Sequence, residues 1–165
     1  VDKKGIDIAS IFNVKSLADV QADERVGAAD VLEVKCDVLI PAALGGVINE
    51  SNMNKINADF IIEGANQPLS IAADRELRAQ GVVIVPDILA NSGGVMGSYF
   101  EWTQNIQEFS WPIEKFRREL DVRMEAAFGN VHKVSKQYSV DLRTAAFVVS
   151  VERVARAFEM RGSLV

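Results

Sequence analysis

The residues best suited to bind a ligand lie in the segment VVIVPDILANSGGVMGSYFEW, between Val82 and Trp102. A short run of valine and isoleucine stops at Pro86, Asn91 follows, and the pair Gly93-Gly94 precedes further small residues. Glycine lets the backbone approach another molecule closely, and ligands in an open α/β sheet bind beyond the carboxyl ends of the strands. This segment therefore predicts a buried strand that leads into a crevice and a helix start.

Two earlier apolar stretches end in a similar way. The sequence Pro41-Ala42-Ala43-Leu44 follows the first stretch, and Glu63-Gly64-Ala65-Asn66 follows the second. Small side chains leave room for a flat ligand such as a ribose, and the amide of Asn66 offers one acceptor and two donors. The same residues also suit strand-to-helix turns that pack tightly for their own sake, so spacing alone leaves both interpretations open.

Three short stretches rich in valine and isoleucine must position these turns, and their composition predicts parallel strands covered on both faces. We predict these strands at residues 37–41, 59–63 and 82–86. Helix-length segments at 44–56 and 70–80 separate them, with Ser70 as a suitable N-cap and Gly81 as a suitable C′ residue. Alternating strands and helices predict an α/β fold with right-handed crossovers and a parallel sheet.

After the third strand the pattern is helical. Residues 88–106 are predicted to be helical despite their glycines, and Pro112 suits the start of a second helix. Between Ile113 and Tyr138 apolar residues recur at alternating spacings of three and four, which indicates one apolar helix face. Asp141 is a suitable cap for a last helix.

Composition excludes several function classes. The chain has 165 residues, 48% of them hydrophobic, and its net charge of −5 gives no basic stripe for nucleic acid. Its apolar runs are far shorter than the roughly 20 residues that span a bilayer. With no signal-peptide pattern and only Cys36, we expect a reducing compartment, the cytoplasm or an organelle matrix. One cysteine and one histidine, His132, supply no zinc site and no catalytic triad.

The segment PDILANSGGV followed by SYFEW resembles the signature of glutamate dehydrogenases, within the wider family of glutamate, leucine, phenylalanine and valine dehydrogenases. CDVLIPAAL at 36–44, IIEGANQPL at 61–69 and the closing stretch 140–162 resemble the same enzymes. The resemblance implies half of a doubly wound, Rossmann-like parallel sheet followed by a helical C-terminal tail. Residues 1–111 would be the C-terminal half of the dinucleotide-binding domain. Residues 112–165 would be a helical segment that packs on it or on a substrate domain.

The resemblance also implies ligands and roles. NAD or NADP would be the cofactor, and glutamate or 2-oxoglutarate the substrate. The residues implied to bind the cofactor are Ala42, Ala43, Asn66 and Asn91, with Asn66 at the nicotinamide ribose or carboxamide. Ser98 would donate its hydroxyl to the distal carboxylate of the substrate, and Val95, nearly one helical turn away, would shape the pocket. Glu63 is expected to be structural.

Several family motifs have no match in the sequence. No G-x-G-x-x-G fingerprint follows a strand, and the lysine-containing glycine motifs that supply the catalytic amine are missing. We therefore expect no catalytic residue in this chain. We expect a C-terminal piece of a larger enzyme, usually hexameric in this family, that is inactive alone. Two alternatives stay open: a non-catalytic α/β module for assembly or regulation, and a leucine- or phenylalanine-type amino-acid dehydrogenase.

Overall fold

The computed structural model describes residues 2, 4–12, 14–20, 22–27 and 30–162. They fall into two units, 1–34 and 35–165. The first contains a short helix, α1 (Ile8–Ile11), which Asp7 caps by accepting the backbone N–H of Ala9. Two 3-10 turns follow within its bounds, Leu17–Asp19 and Val31–Glu33. Residues on both sides of position 111 belong to the second unit, and the predicted division there stays a prediction.

The second unit is built on a three-stranded parallel sheet in the order β1-β2-β3. Its strands are β1 (Cys36–Leu39), β2 (Ala58–Ile62) and β3 (Val83–Val85). All three predicted strands and their parallel pairing are confirmed, with ends shifted by one or two residues. Ile61 and Ile84 pair across β2 and β3 and are buried. Val38, Phe60 and Val83 form a row across the sheet and stay 43–46% exposed, because side chains alternate between the two faces.

Helix α2 (Ile71–Ala79) connects β2 to β3. The Ser70 hydroxyl accepts the backbone N–H of Ala73 at 3.1 Å, and Gly81 has a φ of +93° just beyond the helix end. Both predicted caps are therefore confirmed: an N-cap oxygen satisfies a free helix donor, and glycine adopts the left-handed backbone without a Cβ penalty.

The predicted helix at 44–56 is wrong. The segment contains only a 3-10 turn, Met53–Lys55, and Ile48 pairs instead with Leu69 in an isolated parallel bridge. Two amide side chains hold the chain in turns: Asn52 Oδ1 accepts the N–H of Asn49, and Asn49 Nδ2 donates to Gly46 O. Asparagine side chains compete with helical backbone hydrogen bonds in this way. The side chains of Asn49 and Asn52 therefore favour turns here, although the apolar spacing is compatible with a helix.

The rest of the unit is helical, as predicted. The helices are α3 (Asp87–Ala90), α4 (Ser92–Gln107), α5 (Ile113–Tyr138) and α6 (Leu142–Arg161). The predicted helix at 88–106 is thus interrupted at Asn91. Pro112 precedes α5, and Asp141 caps α6 by accepting the N–H of Thr144 at 2.9 Å. Within the described ranges, no helix combines the length and apolar character needed to cross a membrane.

Two packed clusters hold these helices in place. Leu89, Val131, Ala145 and Ala146 form a buried cluster that joins α3, α5 and α6, with Val85 of β3 packed against it. The second cluster is aromatic. The ring of Phe100, 1% exposed, contacts Trp111 and packs edge-on against Phe116. Together they pack α3, α4, α5 and α6 against one another and against β3.

Candidate functional site

A cleft of about 700 Å³ opens beyond the carboxyl ends of the strands. The turn after β1, the turn after β2 and the first part of α4 form its walls. Its lining residues are Ala43, Leu44, Gly45, Gly64, Ala65, Asn66, Asn91, Gly94, Val95 and Ser98. Parallel strands bring all their carboxyl ends to one edge of a sheet, so this cleft lies where an α/β fold binds ligands.

The two predicted asparagines meet in this cleft. Asn91 Nδ2 donates to Asn66 Oδ1 at 2.7 Å and to the backbone oxygen of Gly64 at 3.3 Å. Among the described residues, neither Asn66 Nδ2 nor Asn91 Oδ1 has a further hydrogen-bond partner. The pair therefore presents two donor hydrogens and one acceptor toward the cleft.

Glycines allow the turns to touch. A Cβ at Gly64 would lie 2.9 Å from the Cβ of Ala42, and one at Gly45 would lie 2.9 Å from the backbone oxygen of Asn66. The backbone N–H of Ala65 donates to Pro41 O at 2.8 Å and joins the first two turns directly. Ala42 is exposed and lies against Gly64 but is not among the lining residues, while Ala43 lines the cleft.

The two residues predicted to hold the substrate also line the cleft. Val95 is 77% exposed, and Ser98 is exposed on the same face of α4. The Ser98 hydroxyl donates to the Gly94 backbone oxygen of its own helix at 3.2 Å. A substrate carboxylate would have to replace that oxygen as the acceptor. The structure brings Val95 and Ser98 to the asparagines, and their roles stay predictions.

The lining fits a flat group that carries a carboxamide or a ribose. A primary amide pairs well with the donor and acceptor of a second amide, and both are available at Asn66 and Asn91. A Cβ built at Gly94 meets no atom within 4 Å, so the backbone of α4 is open to the cleft there. The first turn of α4 thereby leaves space beside the amide pair rather than filling it.

A charged cluster behind the cleft was missed by the sequence analysis. Arg143 of α6 donates to Glu63 at 2.7 Å and to Asp74 and Asp87 at 3.2 Å. Glu63 is fully buried, which agrees with its predicted structural role. Arg143 lies three positions before the buried Ala146 and therefore on the same face of α6. A charged residue on a buried apolar face was the signal that could have revealed it.

The ionisation of Arg143 follows from its surroundings. Burial lowers the pKa of the guanidinium, but the hydrogen bond to Glu63 and the charges of Glu63 and Asp74 outweigh it and raise the pKa above its ordinary value. Arg143 therefore stays charged across the physiological pH range, and the cluster is held by a cation.

Comparison with known proteins adds to this geometry. The family model for Glutamate/Leucine/Phenylalanine/Valine dehydrogenase matches residues 1–162. The chain is 41% identical over 163 residues to the glutamate dehydrogenase of Thermotoga maritima, which covers 96% of this chain and 39% of that protein. A crystal structure of hetero-hexameric glutamate dehydrogenase from Thermus thermophilus, in a leucine-bound form, matches 99% of this chain and 39% of its own, with a TM-score of 0.87 and 27% identity.

A second similar structure is the glutamate dehydrogenase of Peptoniphilus asaccharolyticus, at 36% identity and a TM-score of 0.70 over 74% of this chain and 31% of that chain. The chain thus spans only 39% of the length of the Thermotoga relative. The match to the family model nonetheless extends over nearly every residue and includes both turns and the part of α4 that line the cleft. The chain therefore belongs to the Glutamate/Leucine/Phenylalanine/Valine dehydrogenase family.

Proposed function

We propose that this chain forms the cofactor- and substrate-facing wall of an NAD(P)-dependent glutamate dehydrogenase. The whole enzyme would interconvert L-glutamate with 2-oxoglutarate and ammonia. The observation that carries the proposal is the 2.7 Å contact between Asn91 and Asn66 at the edge where three parallel strands end. The 41% identity to a glutamate dehydrogenase supports this substrate over the other substrates of the family.

The asparagine pair binds and orients the cofactor. When bound, a nicotinamide cofactor supplies hydride transfer to or from the substrate. Asn66 Nδ2 donates to a ribose hydroxyl or carboxamide oxygen, and Asn91 Oδ1 accepts from an N–H or O–H group. Their mutual bond restrains both side chains before the cofactor arrives, which lowers the entropy lost on binding. Ala43 lines the same cleft and leaves room for a flat group, and the exposed Ala42 beside it lies against Gly64.

Residues of α4 bind the substrate. The Ser98 hydroxyl exchanges its bond to Gly94 O for one to the distal carboxylate of glutamate, which is charged and therefore a stronger acceptor. Val95, exposed in the cleft, contacts the aliphatic part of the substrate and limits its width. Both groups belong to one rigid helix anchored by buried Phe100, so the substrate is held at a fixed distance from the asparagines.

The reacting groups belong to another part of the enzyme under this proposal. This chain binds and orients, and it turns over no substrate by itself. We further propose a homo-oligomer in a reducing compartment, the cytoplasm or an organelle matrix. Its relative from Thermus thermophilus is described as a hetero-hexamer.

Substitution of Ser98 in the full-length enzyme tests the proposal. Ser98→Ala removes one hydrogen bond to a charged group, so kcat/KM for glutamate should fall by about ten- to a hundredfold. Ser150→Ala is the matched control, because Ser150 makes the same type of bond, to Ala146 O at 2.7 Å on α6. Unchanged glutamate activity in Ser98→Ala, with activity on leucine or phenylalanine, would favour the other dehydrogenases of the family.

Two further measurements distinguish the proposed dehydrogenase from a non-catalytic module and test where the catalytic groups lie. Titration of the full-length protein with NAD(H) and NADP(H) should show saturable binding, and Asn66→Ala should weaken it. Absence of binding to either cofactor would favour a non-catalytic module. A hydride-transfer assay on the 165-residue chain should show no turnover, and turnover would mean that the catalytic groups had been misplaced.

A further inference from the structure

Arg143 joins three elements that are far apart in the sequence. Its Nη2 donates to Glu63 Oε1 at 2.7 Å, its Nη1 donates to Asp87 Oδ1 at 3.2 Å, and its Nε and Nη2 both reach Asp74 Oδ1 at 3.2 Å. Glu63 follows β2, Asp74 lies in the first turn of α2, and Asp87 begins α3. One guanidinium from the C-terminal helix therefore binds three carboxylates around the sheet edge.

Two of these carboxylates also hold the backbone of the cleft. Glu63 Oε2 accepts the N–H of Asp87 at 2.8 Å, and Asp87 Oδ2 accepts the N–H of Gln67 at 2.8 Å. Gln67 has a φ of +47°, a left-handed backbone that non-glycine residues seldom adopt without support. Asp87 supplies that support, and the backbone it restrains is the one that carries Asn66.

The second asparagine depends on the same cluster. The backbone N–H of Asn91 donates to Asp87 O at 3.0 Å, so the position of Asp87 also determines where Asn91 lies. Glu63 and Asp87 are both anionic and linked through one hydrogen bond, and Glu63 is fully buried. Without a cation between them, the buried Glu63 would be left unpaired and would repel Asp87. The turn after β2, which carries Asn66, would then move away from the start of α3, which leads to Asn91.

We propose that Arg143 is a positioning residue that sets the distance between Asn66 and Asn91 through Glu63 and Asp87. The C-terminal helix thereby controls the geometry of the cofactor wall without contacting the cofactor. This inference deepens the proposed function and rests on it for the identity of the ligand. It needs arginine in particular, because a lysine ammonium carries the charge but holds its three donors on one nitrogen, whereas Arg143 reaches the carboxylates from three nitrogens spread over a planar guanidinium.

The test is Arg143→Lys in the full-length enzyme. We expect KM for the cofactor to rise by about tenfold, the worth of one charged hydrogen bond, while kcat changes much less. Arg156→Lys is the matched control, since Arg156 lies on the same helix, is 73% exposed and pairs only loosely with Glu152 at 3.8 Å. An unchanged cofactor KM in folded Arg143→Lys would overturn the proposal.

A second variant covers the case in which Arg143→Lys does not fold. Asp87→Asn keeps the shape of the side chain and an oxygen for the N–H of Gln67, but it removes one charge that Arg143 binds. It should raise the cofactor KM in the same direction, by several-fold. A folded Asp87→Asn enzyme with normal cofactor KM would equally overturn the proposal.

A spectroscopic measurement separates this inference from the proposed function. In the 165-residue chain, the Asn91 side-chain amide resonance should shift in Arg143→Lys and stay unchanged in Arg156→Lys. An unmoved resonance in Arg143→Lys would remove the positioning role and leave the dehydrogenase proposal intact. Failure of the wild-type full-length protein to bind NAD(H) or NADP(H) would remove the proposed function, while a shifted resonance would preserve the link from Arg143 to Asn91.

Discussion

Gly64 lines the cleft and also lies in close contact with the turn after β1, so a substitution there should affect both stability and ligand binding. Replacing it with alanine would place a Cβ 2.9 Å from the Cβ of Ala42 and 3.3 Å from its Cα. These atoms are attached rigidly to the backbone, so no side-chain rotation can relieve the contact. The turn after β2 must therefore move away from the turn after β1, and we expect Gly64→Ala to lower the free energy of unfolding by about 1–3 kcal/mol.

The same movement should disturb ligand binding. Asn91 donates to the backbone oxygen of Gly64, and Asn66 lies two residues further along the displaced turn. Both hydrogen bonds of the Asn91 amide would change length together. Gly64→Ala should therefore weaken binding of the cofactor to the full-length enzyme as well as destabilise the chain.

Gly94→Ala is the control, because it adds the same methyl group at another edge of the cleft. A Cβ there meets nothing within 4 Å, and Gly94 lies inside α4, where alanine is favoured by about 1 kcal/mol. Its added methyl group occupies cleft space, so we expect unchanged or higher stability together with weaker cofactor binding. The stability effects of the two variants should thus differ in sign.

Urea unfolding of the 165-residue chain, followed by circular dichroism, measures these differences through the denaturant midpoint. A Gly64→Ala midpoint equal to or above that of the wild type would refute the packing argument. A marked loss of stability in Gly94→Ala would contradict the open space found beside Gly94.

Two further predictions concern the helical part. Burial raises the pKa of Asp141, but hydrogen bonds from Thr144 and the charge of Arg78 outweigh it and leave the pKa below its ordinary value. The ionised carboxylate should therefore stabilise the chain above about pH 4, and this contribution should disappear as the pH falls through the lower folded-state pKa. The stability gap between wild type and Asp141→Asn should then narrow in acid, and a gap that is constant with pH would contradict the assignment. Phe100→Ala should cost about 3–5 kcal/mol in thermal or urea unfolding, since Phe100 is fully buried against two other rings. Phe109→Ala, at a residue that is 66% exposed, should cost far less, and equal losses would argue against the aromatic cluster.

Local signals predicted most elements correctly because their causes are local. The strands are short valine- and isoleucine-rich runs between polar residues, and each cap satisfies free backbone groups within its own turn. The helix predicted at 44–56 was wrong for a related reason. Its apolar spacing allowed a helix, but Asn49 and Asn52 bind nearby backbone groups, and Ile48 pairs with Leu69. That pairing partner is distant in the sequence and invisible to a periodicity argument.

The cleft also combines features that could be predicted from the sequence with features that could not. Asn66 and Asn91 could be singled out because residues beyond parallel strands converge at one edge, and the family resemblance added Val95 and Ser98. The hydrogen-bond length between Asn66 and Asn91 could not be predicted, nor could the close approach of Ala42 to Gly64, since both depend on how the turns pack. Arg143 escaped notice because its partners lie 56, 69 and 80 residues earlier in the chain.

The strands, the caps and the turns around the cleft could thus be predicted from local patterns, because alternation, turn chemistry and capping act over a few neighbouring residues. The contact of Asn91 with Asn66, and the binding of three carboxylates by one arginine of the last helix, arise only from the packing of distant elements. These contacts join elements that meet only after the sheet and the helices have packed. Their energies depend on burial and distance, which no stretch of sequence contains.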